Sequence, residues 1–123
     1  MEMDILMTGA IAVADYREYE SWRRARFIVC SVFDLTRSSS RRVEYKRFVQ
    51  EIDRLSVSIL DNLARGFEGN GHPGFINKAC SAIDRLDQRL GLAQQKQLMT
   101  ASDILRLRKE LDSVRRLVGG QSK

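Results

Sequence analysis

The feature that most constrains this chain is the run from Tyr45 to Phe67, which reads YKRFVQEIDRLSVSILDNLARGF. Its apolar residues recur at alternating steps of three and four, which places them on one stripe of an α-helix, whereas a strand would need steps of two. The stripe consists of Tyr45, Phe48, Ile52, Leu55, Ile59 and Leu63. Such a helix is not stable alone in water, so other helices must cover it.

The composition favours one globular domain built from long helices. The chain has 123 residues, of which 43% are hydrophobic and 30% are charged, and it contains one proline. A chain of this length forms one core and leaves no room for a second domain of ordinary size. Five Phe, three Tyr and one Trp are few for a protein that stacks bases on an aromatic sheet.

The charge of the chain is compatible with an anionic partner. There are 21 basic and 16 acidic residues, which gives a net charge of +5. This excess permits binding of nucleic acid through its phosphates. It is equally compatible with a role in solubility alone.

Few residues suggest a metal, a disulfide or a membrane span. Cys30 and Cys80 lie on the core-facing or flanking sides of two predicted helices, and two reduced, buried thiols are favoured over a disulfide because nothing marks secretion. His72 is the single histidine, and no metal-ligand spacing is present. The apolar stretch Ile5–Val13 is too short to span a membrane. We therefore expect a cytoplasmic protein without cofactor or metal.

The chain begins with a stretch that we interpret as a flexible arm, residues 1–14, which is followed by a helical domain over residues 15–118. Asp15 and Glu18 resemble a capping box that opens the first helix, which should end near Thr36. The predicted core face of this helix consists of Tyr19, Trp22, Ala25, Val29, Val32 and Phe33.

Two loops delimit the organising helix. Residues 37–42 break the periodic pattern, and Ser40 is a candidate cap for the helix that follows. Residues 68–74 give the strongest loop signal. Gly66, just before them, lies at the predicted helix end, where a residue in the left-handed conformation is common. Pro73 fits the first turn of the next helix, because a proline there lacks only an N–H that would have no partner.

Two further helices follow. The third carries its apolar stripe at Ile76, Ala79, Ile83, Leu86 and Leu90. It ends either at Gly91 or near Gln95. Thr100 and Asp103 form a second capping-box pattern. The fourth helix carries Ile104, Leu107, Leu111, Val114 and Val118, and residues 119–123 are expected to be a disordered tail. Four amphipathic helices with short connections predict an all-α, antiparallel up-down four-helix bundle.

The run Ser56–Phe67, SVSILDNLARGF, resembles the signature of the four-helix-bundle proteins encoded in 23S rRNA intervening sequences. That family typically reads S-I-P-x-N-I-A-E-G-F at this place, followed by a polar loop and an aromatic-led helix, which Phe75 would begin here. The similarity covers most of residues 16–118, although only the central motif is specific. Leu60 stands where the family has proline and Arg65 where it has glutamate, so a role that needs an acid at position 65 is in doubt.

The resemblance implies a bundle that assembles into a ring-shaped homopentamer and has no established catalytic activity. The same superfamily includes the accessory variability proteins of diversity-generating retroelements, which are basic pentameric bundles that bind a reverse transcriptase and its nucleic acid. A reverse transcriptase and RNA or DNA are therefore the expected partners if the chain resembles that branch. The central motif favours the intervening-sequence branch, and the positive charge fits the accessory branch.

Independently of any family, several basic groups are candidate nucleic-acid contacts. The densest group lies around the loop before the organising helix, and further groups lie along the third and fourth helices. The candidates are Arg37, Arg41, Arg42, Lys46, Arg47, Lys78, Arg85, Arg89, Arg106, Lys109 and Arg116. The alternative is a solvated face that Asp84, Asp87, Glu110 and Asp112 balance through helical pairs.

The remaining signals favour structural roles. The glycines of residues 66–74 lack the Lys-Ser/Thr and the preceding strand of a phosphate-binding loop. Trp22 is expected to anchor a core or a subunit interface, Asp61 and Asn62 to fix helix register or bond a neighbouring backbone, and Gly66 to end a helix. His72 lacks an orienting carboxylate apart from the local Glu68.

We therefore expect a non-enzymatic, oligomeric scaffold that engages nucleic acid or a nucleic-acid enzyme through repeated basic surfaces. The alternative is a structural or protein-interaction oligomer whose charge is incidental. A small hydrolase or nuclease is disfavoured, because the sequence offers no convincing acid, base or metal constellation.

Overall fold

The structure of the chain is a computed structural model that describes the backbone of residues 2–39, 43–67 and 73–122. Its side chains are described for residues 16–37, 43–67 and 73–119. The elements are α1 Glu2–Ser39, a short 3₁₀ helix Val43–Tyr45, α2 Lys46–Gly66, α3 Pro73–Gln95 and α4 Ala101–Ser122. Within these ranges the backbone forms four α-helices and no strand, which confirms the predicted all-α class.

The four helices form a closed bundle in which each packs on two others. Helix α1 packs on α2 and α4, and α3 packs on the same two helices. Contacts between α3 and α4 run in opposite directions, since Arg108 pairs with Asp87 whereas Arg115, further along α4, pairs with the earlier Asp84. Together with the short connections, this pairing gives the antiparallel up-down arrangement expected from the sequence.

The core confirms the predicted stripes of α2, α3 and α4. In α2, Ile52, Ile59 and Leu63 are completely buried, and Phe48 and Leu55 pack against the core from its edge. The 3–4 spacing of apolar side chains therefore identified the buried face correctly on these helices. The predicted residues of α3 and α4 in this core are Ala79, Ile83, Leu86, Leu90, Ile104, Leu107, Leu111, Val114 and Val118.

The predicted core face of α1 is wrong in part. Ala25 and Val32 are buried as expected, but Tyr19 and Phe33 are exposed. The buried face of α1 is instead formed by smaller residues at helical spacing, namely Ser21, Ala25, Ile28, Val32 and Thr36. Helix α1 carries apolar residues on more than one side, so their periodicity alone does not select the side that faces the core.

Three predicted element boundaries are also wrong. Helix α1 begins at Glu2 rather than at Asp15, because Leu6, Met7 and Ala10 are good helix formers and no proline interrupts them. Helix α4 continues past Gly119 to Ser122. The cap position of α2 is occupied by Tyr45 rather than by Ser40, and it makes no side-chain cap hydrogen bond. Ser40 itself lies outside the described residues.

Gly66 is the last residue of α2, but not in the predicted left-handed conformation. No glycine among the described residues has a positive φ, so Gly66 does not adopt the left-handed conformation. A Cβ at this position would lie 2.5 Å from Cδ1 and 2.9 Å from Cγ1 of Ile76 on α3. The missing side chain therefore leaves room for the Ile76 side chain against the end of α2.

The starts of α3 and α4 follow the sequence signals. Helix α3 begins at Pro73, as expected for a proline in the first turn. Thr100 caps α4, because its hydroxyl oxygen accepts a hydrogen bond from the backbone N–H of Asp103 at 3.1 Å. Asp103 does not complete the reciprocal capping box in the described contacts and instead lies 3.5 Å from Arg106.

Helix α3 runs to Gln95 and ends in a Schellman motif. The N–H of Leu98 donates to the carbonyl of Ala93 at 2.9 Å, and the N–H of Gln97 donates to the carbonyl of Gln94 at 3.0 Å. Gln97 has a φ of 60°, at the position of this motif where glycine is usual. A glutamine at positive φ carries a steric cost that glycine avoids.

Replacing Gln97 with glycine should therefore stabilise the protein. The expected gain in the free energy of unfolding is about 0.5–1 kcal/mol, because relief of the left-handed strain exceeds the added entropy of the unfolded chain. Urea denaturation of the variant and the wild type measures this difference. Gln95→Gly is the matched control, because Gln95 lies within α3 and its replacement should destabilise the protein. A loss of stability in Gln97→Gly would contradict the assigned motif.

Candidate nucleic-acid interface

The described arginines include a set that pairs with carboxylates on other helices. The carboxyl oxygens of Glu51 on α2 lie 3.0 Å from Nε of Arg89 and 3.8 Å from Nη2 of Arg85, both on α3. Arg24 of α1 lies 3.3 Å from Glu110 of α4. Together with Arg108–Asp87 and Arg115–Asp84, these pairs join α1 to α4, α2 to α3, and α3 to α4. The acids in these pairs reduce the positive potential around the arginines.

A second set pairs with carboxylates of the same helix. The pairs that include predicted contacts are Arg37–Asp34 at 3.5 Å, Arg106–Asp103 at 3.5 Å and Arg116–Asp112 at 2.8 Å. Arg65 pairs in the same way with Asp61 at 3.3 Å. Exposed pairs of this kind contribute little stability, but each acid reduces the local positive potential.

The predicted contacts therefore divide into three groups. Arg37, Arg85, Arg89, Arg106 and Arg116 are paired with acids, which agrees with the alternative of a balanced face. In the described side chains Lys46, Arg47, Lys78 and Lys109 are exposed and form no ion pair. Arg41 and Arg42 lie outside the described residues, as does His72.

A group of cations without an ion pair lies on the outer side of α2. Lys46, Arg47 and Arg54 are all exposed, and Arg54 follows Arg47 by seven residues, so both lie on one side of the helix. Between them along the helix lie the neutral, exposed Gln50 and the partly buried Glu51, whose carboxylate pairs with Arg85 and Arg89. No carboxylate among the described residues forms an ion pair with any of the three. We call Lys46, Arg47 and Arg54 the α2 basic surface.

Lys96 lies at the same end of the bundle as the start of α2. Its ammonium nitrogen is 5.7 Å from the ring centroid of Tyr45 and 5.5 Å from that of Phe48. These distances are within the range of cation–π attraction. The two rings therefore hold the lysine beside the first turn of α2, on the side of its apolar stripe.

The acids of α2 do not neutralise the α2 basic surface. Glu51 is engaged by Arg85 and Arg89. Asp53 faces α1, where one of its carboxyl oxygens lies 2.7 Å from the hydroxyl of the buried Thr36. Burial raises the pKa of the Asp53 carboxyl, and the hydrogen bond from Thr36 opposes this rise only in part. Charge at this position is therefore disfavoured in the folded state.

Ionisation of Asp53 should lower the free energy of unfolding as the pH rises. A carboxyl whose folded pKa is raised binds its proton more tightly in the folded state, so its contribution is present below the unfolded pKa and is lost as the pH rises through the folded pKa. Asp53→Asn removes this dependence and still accepts the hydrogen bond from Thr36. At pH 7 the variant should therefore match the wild type or exceed it by less than about 1 kcal/mol.

Urea denaturation of both proteins between neutral and acidic pH measures this effect. Any advantage of Asp53→Asn at pH 7 should shrink and then disappear as the pH falls toward the ordinary pKa of aspartate. A variant that becomes relatively more stable in acid would contradict the assigned environment.

A second basic feature is the groove between α2 and α3. It is lined by Ser58, Asn62, Asn77, Lys78, Ser81 and Arg85, with no carboxylate in its lining, and the guanidinium of Arg85 also pairs with Glu51. The amide of Asn62 donates to the carbonyl of Ser58 at 2.8 Å and to its hydroxyl at 3.1 Å. Asn62 therefore bonds its own helix rather than a neighbouring backbone, and Asp61 is an exposed partner of Arg65 rather than a register-fixing group.

Arg54 and Lys96 are not among the nucleic-acid contacts predicted from the sequence. Arg54 had a detectable signal, since it follows Arg47 by two helical turns on the polar side of the organising stripe. Lys96 had none, because its place beside Tyr45 and Phe48 depends on how the connection between α3 and α4 folds.

Trp22 is half-buried and lies under the guanidinium of Arg26, whose carbon is 5.8 Å from the ring centroid.

Other kinds of site find little support among the described residues. No group of three or more His, Cys, Asp or Glu side chains there could hold a metal ion. Both cysteines are free, but Cys30 is exposed rather than buried as expected. Cys80 is half-buried, and burial raises the pKa of its thiol. None of the helices in the described part of the chain has the length and apolar content that a membrane crossing requires.

Comparison with known proteins does not identify a family: no family model, curated protein or solved structure matches the chain.

Proposed function

We propose that this protein is a non-enzymatic scaffold that binds nucleic acid through phosphate contacts made by the α2 basic surface. This proposal rests on the difference between the cations that form ion pairs and those that do not. Many of the described arginines are held by acids, whereas Lys46, Arg47 and Arg54 share an exposed side of one helix without an ion-pair partner. Lys96 adds a fourth charge at the same end.

Such a surface binds a polyanion by displacing its counterions. Four phosphate contacts on a single strand predict a slope of about −3 for log K against log salt concentration. Lysine and arginine on a convex helix surface contact the sugar–phosphate backbone without reading base edges, so binding should depend little on sequence. The groove between α2 and α3 offers further donors to a strand that follows α2.

The finer parts of the proposal rest on the resemblance of Ser56–Phe67. It supports assignment to the intervening-sequence superfamily, assembly as a homopentameric ring and, for the retroelement branch, a reverse transcriptase as protein partner. A ring would repeat the α2 basic surface around its axis and raise the positive potential felt by a strand. A cytoplasmic location would agree with this role.

Salt-titrated binding of the full chain tests the proposal. Fluorescence anisotropy is recorded with single-stranded RNA, RNA–DNA hybrid and duplex DNA of mixed sequence at increasing salt concentrations. Binding at low salt that weakens with a slope near the expected value supports the proposal. Absence of binding at low salt, or affinity that does not change with salt, would remove it.

A second candidate function is that of a structural or protein-interaction oligomer. The observation that favours it is the exposure of aromatic side chains on α1, which a solitary bundle leaves in water. The two functions are compatible, because α1 and the outer side of α2 present different surfaces.

A further inference from the structure

The groove between α2 and α3 offers neutral polar groups as well as positive charge. It has a volume of about 370 Å³, which lies in the range of small-ligand sites. Besides two cations, its lining consists of two serines, two asparagines and two apolar residues that belong to the hydrophobic core or pack against it. These are Ser58, Asn62, Asn77, Ser81, Leu55 and Ala82.

Part of this polar lining is not used within the bundle. Asn77 and Ser81 are exposed, and neither side chain forms a hydrogen bond with another described residue. The amide nitrogen of Asn62 donates to the carbonyl and the hydroxyl oxygen of Ser58. The carbonyl oxygen of the Asn62 side chain and the hydroxyl proton of Ser58 are therefore left for another partner. The groove presents both hydrogen-bond donors and acceptors.

The two cations of the groove differ in how far acids balance them. Lys78 is exposed and forms no ion pair in the described side chains, and its ammonium nitrogen lies 5.5 Å from the ring centroid of Phe75. This distance is within the range of cation–π attraction. The Arg85 side chain is 64% exposed and lies 3.8 Å from Glu51, whereas Arg89 approaches the same carboxylate to 3.0 Å. Glu51 therefore offsets the charge of Arg85 only in part.

The groove continues the α2 basic surface. Ser58 follows Arg54 by four residues, and Asn62 follows Ser58 by four. Each such step advances about 6 Å along the helix and turns about 40° around it. The row of side chains therefore passes from the outer side of α2 into the groove that α2 shares with α3. A strand that is held at Arg54 and runs toward the end of α2 meets the groove about one helical turn later.

We infer that this groove binds a ribose–phosphate unit of an RNA strand and makes the protein prefer RNA to DNA. The inference rests on the proposed function, because the α2 basic surface holds the strand. Cations contact the phosphates that RNA and DNA share, so they do not distinguish the two polymers. The ribose 2′-hydroxyl is both a donor and an acceptor, and it matches the free amide and hydroxyl groups of the groove. Deoxyribose offers these groups no such partner.

A free ribonucleotide has the same chemistry but suits the groove less well. The side chains that α3 contributes to the lining are exposed, apart from Ala82, so the groove encloses little of a small ligand. Sites for small molecules usually bury most of their ligand. A strand does not need this enclosure, because its phosphates on α2 keep the next nucleotide at a high effective concentration beside the groove. The groove is therefore assigned to a strand.

The test compares the affinity of the full chain for two single strands of one mixed sequence by fluorescence anisotropy at low salt. One strand is RNA, and the other is DNA in which uracil replaces thymine, so that only the 2′-hydroxyl differs. The wild type should bind the RNA about fivefold more tightly, which is the typical effect of one hydrogen bond. RNA with 2′-O-methyl groups, which cannot donate this hydrogen bond, should bind like the DNA.

Two matched double variants locate the preference. Asn77→Ala with Ser81→Ala removes one amide and one hydroxyl from the groove, and the preference for RNA should fall below about twofold. Gln88→Ala with Ser102→Ala removes the same kinds of group at exposed positions outside the lining, and the preference should stay unchanged. Circular dichroism and urea denaturation establish that both variants stay folded, and the 2′-O-methyl strand tests the wild type without any substitution.

The possible results separate this inference from the proposed function. Equal affinity of the wild type for RNA and DNA, with the expected salt slope, would overturn the role of the groove and leave the α2 basic surface in place. A preference that Asn77→Ala with Ser81→Ala leaves intact would also overturn this site. Displacement of the strand by micromolar adenosine monophosphate would assign the groove to a free nucleotide instead. Absence of binding to either strand would overturn the proposed function and this inference together.

Discussion

Replacing Leu63 with alanine should lower the free energy of unfolding by about 3 kcal/mol. Leu63 is 0% exposed and lies in the core that all four helices share. Truncation removes apolar surface that is buried on folding and leaves a cavity that the packed helices fill only in part. Urea denaturation followed by circular dichroism measures the loss. This is the largest stability effect that we expect from a single side chain of α2.

The same substitution at Leu105 is the matched control. Leu105 lies on α4 and is 56% exposed, so Leu105→Ala should change the free energy of unfolding by less than about 0.5 kcal/mol. Alanine is also a better helix former, which offsets part of the lost contact. Comparable losses in the two variants would contradict the assignment of the buried face of α2.

Removing the charge of the α2 basic surface should weaken nucleic-acid binding by at least about tenfold at low salt. The variant combines Lys46→Gln, Arg47→Gln and Arg54→Gln, all at exposed positions. Each neutralised phosphate contact should reduce the magnitude of the salt slope by about 0.7 for a single strand. Anisotropy titrations with single-stranded RNA at several salt concentrations measure both quantities.

A triple variant with the same change in net charge separates local from overall electrostatics. Arg37→Gln, Arg106→Gln and Arg116→Gln remove three exposed cations that are paired within their own helices. Because their acids already reduce the local potential, the loss of affinity should stay below about threefold. Equal losses in the two triple variants would indicate that net charge alone governs binding.

Most of the fold could be predicted because three helices carry a single apolar stripe. In α4, Ile104, Leu107 and Leu111 are all buried as their spacing predicts. The same reasoning failed for helix α1. Large aromatic residues such as Tyr19 and Phe33 were predicted to be buried, whereas small residues such as Ala25 form the face on which α1 packs closely against the other helices. The sequence alone does not distinguish an aromatic side chain that enters the core from one that stays exposed on the surface.

The candidate interface was predicted less completely than the fold. Lys46 and Arg47 stand out as an adjacent basic pair, although Glu44 and Glu51 lie three and four residues from Arg47. Arg85 and Arg89 resemble them in sequence, but Glu51 reaches both from a different helix. Pairing across helices depends on the register of the bundle, which periodicity does not provide. For the same reason Lys96 became recognisable only through its contacts with two rings of another element.

The central claim is that the free cations of α2, rather than the paired cations of α3 and α4, contact nucleic acid. Its most direct test is the backbone amide spectrum of isotopically labelled protein during titration with single-stranded RNA at low salt. The account predicts that the largest shift changes fall on residues 46–54 and around Lys96. Changes centred on Arg106 and Arg116, or a spectrum that RNA leaves unchanged, would contradict it.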